Sequence, residues 1–351
     1  MSRLTGRRDR RSEAGNRHRG RAARSPVRLL ALALVVGMVA GAGFWVRAAT
    51  EDGLARTVSH RPPPPGGYFK VEPAGSWSSL PGDGRCRALV RRSTWEPRPD
   101  NRRANHTVPD VRTVHQALAD RPRGGEANGY APRFDSWLLA RVTGHHTGTT
   151  DENIQWAACK WGLPDNLLRA MAVRESTWHQ DQRYGSGRCV PTYGCGDMVE
   201  EPTAATRVFC RGISRFGHDF EADYGRGICP KTFSIVGVMA WQDPAWGPME
   251  GNQNGTFPFS RRSTAYALDY VGAFLRGCYE GWVRWLANTG AGGYAPGDLD
   301  GCVGAWYSGD WRSELALGYV ERVRAERRAR TWLTPEFRFH TPPCSPTYGC
   351  P

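Results

Sequence analysis

Lysine is nearly absent from this chain. Three of its 47 basic residues are lysine (Lys70, Lys160 and Lys231), and arginine supplies the rest. That skew reflects the codon use of a GC-rich genome, such as an actinobacterial one, and carries no structural message. No Cys-x-x-Cys pair occurs, so a zinc knuckle or a thioredoxin-like centre has no ligand set. Gly144-His-His146 lacks spaced partners and reads as a surface loop. No metal and no cofactor is expected. Zinc-finger, RRM and other nucleic-acid motifs are missing as well. The charge agrees with that. Residues 1–28 hold ten arginines against Asp9 and Glu13, a net of +8 out of +13, which leaves +5 for the other 323 residues. The basicity therefore belongs to an N-terminal tail, and a nucleic-acid partner is excluded.

Long apolar runs are equally scarce. The exception is Leu29 to Val46, eighteen uncharged residues between Arg28 and Arg47, just long enough to span a bilayer. The arginine-rich flank precedes it, so the positive-inside rule keeps the N-terminus cytoplasmic and sends the remainder outside. A cleaved signal peptide ending near Val46-Arg-Ala48 is the rival reading, with secretion as its outcome. Signal peptides have shorter basic and apolar regions than these, which favours an uncleaved single-pass anchor.

All ten cysteines follow this segment. An even count confined to the expected outside predicts disulfides. Cys189-Val-Pro-Thr-Tyr-Gly-Cys195 and Cys344-Ser-Pro-Thr-Tyr-Gly-Cys350 repeat one pattern, and each reads as a small closed ring around a tight turn. Cys210–Cys229 and Cys278–Cys302 are plausible local pairs, leaving Cys86 for Cys159.

Organisation follows from texture. After the basic tail (1–28) and the anchor (29–46), residues 47–148 form a Pro/Gly-rich linker and partly ordered region. It begins with the stiff spacer Arg61-Pro-Pro-Pro-Pro-Gly-Gly67. It contains one short helix near 111–119 and an extended stretch, Trp95-Glu-Pro-Arg-Pro-Asp-Asn101, that packs against something. From Thr149 helical signals dominate. Thr149-Thr-Asp-Glu starts a helix that Gly162 ends. Further helices are expected at 202–212, 264–288, 298–306 and 313–330, with an apolar run at 233–241 and a Cys-closed tail at 334–351. The last helix bears a basic face of Arg322, Arg324, Arg327, Arg328 and Arg330, solvated or set against acidic wall polymers.

The stretch Leu163-Pro-Asp-Asn-Leu-Leu-Arg-Ala-Met-Ala-Val-Arg-Glu175-Ser-Thr-Trp178 stands apart. Pro164 and Asp165 suit a first helical turn. Leu167, Leu168 and Met171 form an apolar stripe, and Glu175 continues it four residues beyond Met171. A carboxyl so placed is partly desolvated and near the negative helix end. Both effects raise its pKa toward the range a general acid needs. The plain alternative is a glutamate that turns to solvent.

Four pieces now fall in order: Val173-Arg-Glu175-Ser176, Ser234-Ile-Val-Gly237-Val-Met239, Ala305-Trp-Tyr-Ser-Gly309 and Tyr319-Val320…Val323. Together, over about 150–332, they resemble the soluble lytic transglycosylase family. The resemblance implies a mainly α, lysozyme-like domain (149–333) with a disulfide-braced insertion, cleaving the β-1,4 bond between N-acetylmuramic acid and N-acetylglucosamine in peptidoglycan. It implies Glu175 as sole acid/base and a cleft formed by Ser176, Ser234, Gly237, Val238, Met239, Gln242, Tyr307 and Tyr319. Val238, Met239 and Trp241 would give apolar walls, and Trp178, Trp306, Tyr307 and Trp311 are candidate sugar-stacking rings. Ala240 and Tyr307 depart from the family's Gln and Asn. Those departures, with Asp181, Asp197, Asp219 and Asp223 in the insertion, keep open a hydrolytic muramidase and a non-catalytic glycan-binding or scaffold protein on the same fold.

Overall fold

The computed structural model describes residues 67–120, 129–186, 188–190, 193–199, 201–216, 218–240 and 254–342. The basic tail, the expected anchor 29–46, Trp241, Gln242 and the expected Cys344–Cys350 ring lie outside the described residues. Among those described, no helix is long and apolar enough to cross a membrane.

The protein is mainly helical. In chain order the helices are α1 (Asp83–Leu89), α2 (Arg102–Asn105), α3 (Val111–Asp120), α4 (Thr150–Trp161), α5 (Asp165–Ser176), α6 (Ala204–Ser214) and α7 (Phe220–Tyr224). A two-stranded antiparallel hairpin follows, β1 (Thr232–Phe233) against β2 (Val238–Met239). Then come α8 (Phe259–Arg262), α9 (Thr264–Tyr279), α10 (Leu299–Ser308), α11 (Glu314–Ala329) and α12 (Pro335–Arg338). Local chemistry sets these limits. Thr149 and Glu152 form a reciprocal capping box at the start of α4, and Gly162 ends it at φ +58°. The helix expected over 264–288 stops at Tyr279. Gly281 turns left-handed, and Trp282 N–H reaches back to the Gly277 carbonyl (2.8 Å), so a Schellman-type stop intervenes before a short 3-10 turn at Arg284–Asn288.

The main core is built on α4, α5 and α9, closed by α10 and α11. α4 is buried on all sides, and α9 approaches it so closely that a Cβ on Gly272 would stand 2.2 Å from the Trp161 ring. A second, smaller core of Phe209, Ile213, Phe220, Phe233 and Phe257 holds the insertion, with disulfides Cys189–Cys195 and Cys210–Cys229 beside it. Cys86–Cys159 and Cys278–Cys302 brace the main core.

The boundary at 148/149 has no counterpart in the packing. Residues 67–148 supply Cys86, Val90, Trp95, Val114, Leu118 and Leu138 to the same core. Composition misleads here because this segment is held by polar side chains to buried charges, which leave no helical periodicity. Asp165 accepts the Tyr68 and Phe69 N–H groups (2.8 and 3.0 Å) while pairing with buried Arg169 (2.5 Å). Lys160 is fully enclosed between Asp83 (2.7 Å) and Asp269 (2.8 Å), and Asp269 also receives the Thr143 and Gly144 N–H groups. The first residues of the expected tail belong to the fold as well, since Phe337 is buried against Trp178.

Candidate active site

Glu175 sits in the last turn of α5, partly exposed between exposed Arg174 and buried Ser176. Three features fix it. First, the chain leaves the helix abruptly: Thr177 and Trp178 take φ +50° and +67°, a left-handed course that costs a side-chain-bearing residue energy and needs external support. The support comes from the segment expected only to pack against something. Buried Arg98 donates to the Thr177 carbonyl (2.8 Å) and the Phe337 carbonyl (2.7 Å), and Asn101 donates to the Trp178 carbonyl (2.6 Å).

Second, the turn between β1 and β2 lies against the carboxylate. Ile235 is clamped from both ends, its carbonyl accepting from Ser176 Oγ (2.9 Å) and its N–H donating to Gln180 Oε1 (3.2 Å). Ser234 stands at φ +92° and donates its N–H to the Gly194 carbonyl (3.0 Å). Gly237, at φ +62°, approaches so closely that a Cβ there would be 2.7 Å from Glu175 Oε2. Trp306 Nε1 holds the Val236 carbonyl (3.1 Å).

Third, the Tyr319 hydroxyl on α11 donates to Glu175 Oε1. Its ring is stacked on Tyr307, with centroids 4.5 Å apart and planes 3° from parallel.

Burial pushes the Glu175 carboxyl up to about 7. The Tyr319 hydrogen bond pulls downward, the Asp197 charge adds to the rise, and Arg174 opposes it. A group protonated just below neutrality and ionised just above it can donate a proton and take one back.

Eight of the nine proposed site residues are described, Gln242 being the exception. Ser176, Gly237 and Tyr319 meet at Glu175, with Ser234 one turn away and Tyr307 behind Tyr319. Val238 is fully buried in the main core and Met239 is partly exposed. Two of the candidate stacking rings are corrected. Trp178 and Trp311 are 0% and 1% exposed, so no sugar can reach their faces. Trp178 packs edge-on to Trp95 and Phe337, and Trp311 against Tyr294. Tyr307 is 48% exposed. Sequence reasoning missed Arg98, Asn101 and Gln180, whose work is to fix backbone. Only their burial reveals them.

The four insertion carboxylates separate clearly. Asp181 pairs with Arg183 and Arg261, Asp219 caps α7, and Asp223 binds His218. Asp197 is exposed, its side chain bonds to nothing among the described residues, and it is near enough to raise Glu175. Its backbone is pinned to β1, the N–H to Thr232 Oγ1 (2.9 Å) and the carbonyl to Lys231 N–H (2.6 Å). The one metal-type grouping among described residues, Asp181 with Cys189 and Cys195, is a carboxylate beside a closed disulfide. Neither family models, nor curated proteins, nor solved structures give a match to this chain.

Proposed function

We propose that the chain is a membrane-anchored peptidoglycan lytic transglycosylase with a lysozyme-like fold, anchored by residues 29–46 with its catalytic part outside the cytoplasm. The observation that carries this reading is a partly buried Glu175 raised to about 7, bonded to Tyr319 and backed by Gly237. The ordered resemblance of the four sequence pieces supports it. Protonated Glu175 donates to the bridging oxygen as the bond from C1 of N-acetylmuramic acid breaks, releasing the N-acetylglucosamine side as an alcohol. The C6 hydroxyl of the same muramic residue closes on C1, and its proton returns to Glu175. One residue thus serves as acid and then base, without a second carboxylate.

Asp197 favours a second reading. An exposed carboxylate close enough to raise the acid can take a proton from water, which makes the enzyme a hydrolytic muramidase. Incubating the full-length protein with purified peptidoglycan and weighing the soluble fragments separates the two. Anhydro-muropeptides identify the transglycosylase, and fragments heavier by one water identify the hydrolase. Absence of release overturns both and leaves a glycan-binding protein, and release undiminished in Glu175→Gln overturns the assignment of Glu175 as the acid.

A further inference from the structure

Tyr319 meets Glu175 on one side and Tyr307 on the other. Tyr307 uses one ring face against Tyr319 and remains 48% exposed, so its second face is open. Beside this pair lies Arg322. Its guanidinium carbon is 5.6 Å from the Tyr307 centroid and 6.0 Å from that of Tyr319. Near-equal distances to two parallel rings place the cation at the rim of the stack, not over either outer face.

Arg322 is exposed and makes no ion pair or hydrogen bond among the described residues. Its neighbours are occupied. Arg324 pairs with Asp300 and Glu321, Arg327 donates to Asn166, and Arg174 pairs with Glu326. What leaves Arg322 by the stack is Gly318, four residues earlier on the same face of α11. A Cβ at 318 would stand 3.4 Å from Arg322 Nη1, so the guanidinium lies over the space a side chain would fill. One turn further back Leu315 is 68% exposed. An exposed leucine, a bare backbone and an unpaired cation thus form one strip, ending at the tyrosines that hold the acid.

We infer that this strip is a subsite for the peptide that muramic acid carries. A ring of the glycan strand covers the open face of Tyr307, small apolar peptide side chains lie along Leu315 and Gly318, and a peptide carboxylate bonds to Arg322. This rests on the peptidoglycan reading of Glu175 and adds a selectivity to it: strands bearing peptides are preferred over stripped ones. Arginine suits the task because its planar fork can hold a carboxylate with two parallel hydrogen bonds.

The test is calorimetric binding to full-length protein carrying Glu175→Gln, which removes turnover. The probes are N-acetylglucosaminyl-N-acetylmuramic acid with a tetrapeptide and the same disaccharide without one. The expected result is about five- to tenfold tighter binding of the peptide-bearing probe, the scale of one exposed charge-assisted contact. Adding Arg322→Ala removes that preference without changing affinity for the bare disaccharide. Adding Gly318→Leu, which keeps the charge and displaces it, removes the preference too. Equal affinities for the two probes overturn the inference, as does a preference that survives Arg322→Ala. Tighter binding of a glycerol-phosphate oligomer than of the peptide probe also overturns it, because the strip then serves an acidic polymer. Failure of the glycanase reading shows separately, as absent cleavage by the wild-type chain.

Discussion

At the scale of single residues, Glu175 carries the most consequence. Glu175→Gln keeps the shape and removes the proton, so strand cleavage falls about 10²–10⁴-fold, the usual contribution of a positioned acid/base. The same substitution affects stability, with a defined sign. The folded carboxyl is raised from 4.5 to about 7, so between those values the folded state binds the proton and the unfolded state releases it. Stability therefore falls as pH rises from about 4.5 to 7 and stays low above. Glu175→Gln removes that penalty. Urea unfolding finds the variant more stable than wild type at pH 8, by roughly 1–3 kcal/mol after allowing for partial exposure, and equal to it near pH 4. Tyr319→Phe removes a bond that holds the carboxyl down, so the alkaline limb of the pH–rate profile moves up while the rate drops. Asp197→Asn moves that limb down.

At the scale of elements, the β1–β2 turn tests the geometry. Gly237→Ala places a Cβ 2.7 Å from Glu175 Oε2 and asks alanine to hold φ +62°. The backbone term alone costs about 1–2 kcal/mol. Cleavage falls more than tenfold and the melting temperature drops, both readable from one preparation. The capping box of α4 is a quieter check: Thr149→Ala costs about 1 kcal/mol in denaturant unfolding without altering the pH–rate profile. Elements of this kind were legible in the sequence because their signals are local. Thr149 and Gly162 bracket α4, and the stripe of Leu167, Leu168 and Met171 carries Glu175 inward. The stop at Tyr279 was not, because the 280–288 stretch keeps an apolar pattern while Gly281 turns the chain away.

At the scale of the whole molecule, the segment before Thr149 is part of the same core as Glu175's helix. Cys86–Cys159 closes a 73-residue separation across it, and replacing both cysteines by alanine costs about 2–4 kcal/mol. A fragment confined to 149–333 strips Asp83 from Lys160 and removes Arg98 and Asn101 from the turn after Glu175. Losing these partners together with the core residues Cys86, Val90, Trp95, Val114, Leu118 and Leu138 is strongly destabilising, so this fragment lacks the near-ultraviolet dichroism of the full chain and cleaves nothing. Recovery of full activity by the fragment would show that residues 67–148 are dispensable.

The sequence alone determined most of the helix frame and the place of Glu175 at the end of an apolar stripe, because capping residues and periodicity act over a few positions. Tertiary structure decided the rest. Fourteen tryptophans look alike in a sequence, and only packing separates buried Trp178 and Trp311 from partly exposed Trp306. Four insertion aspartates look alike until Arg183, Arg261, His218 and the α7 N-terminus claim three of them. The strap before Thr149 reads as a linker because hydrogen bonds from distant backbone to buried Asp165 and Asp269 leave no local pattern. Burial is a property of the folded chain, and here burial is what raises the Glu175 carboxyl.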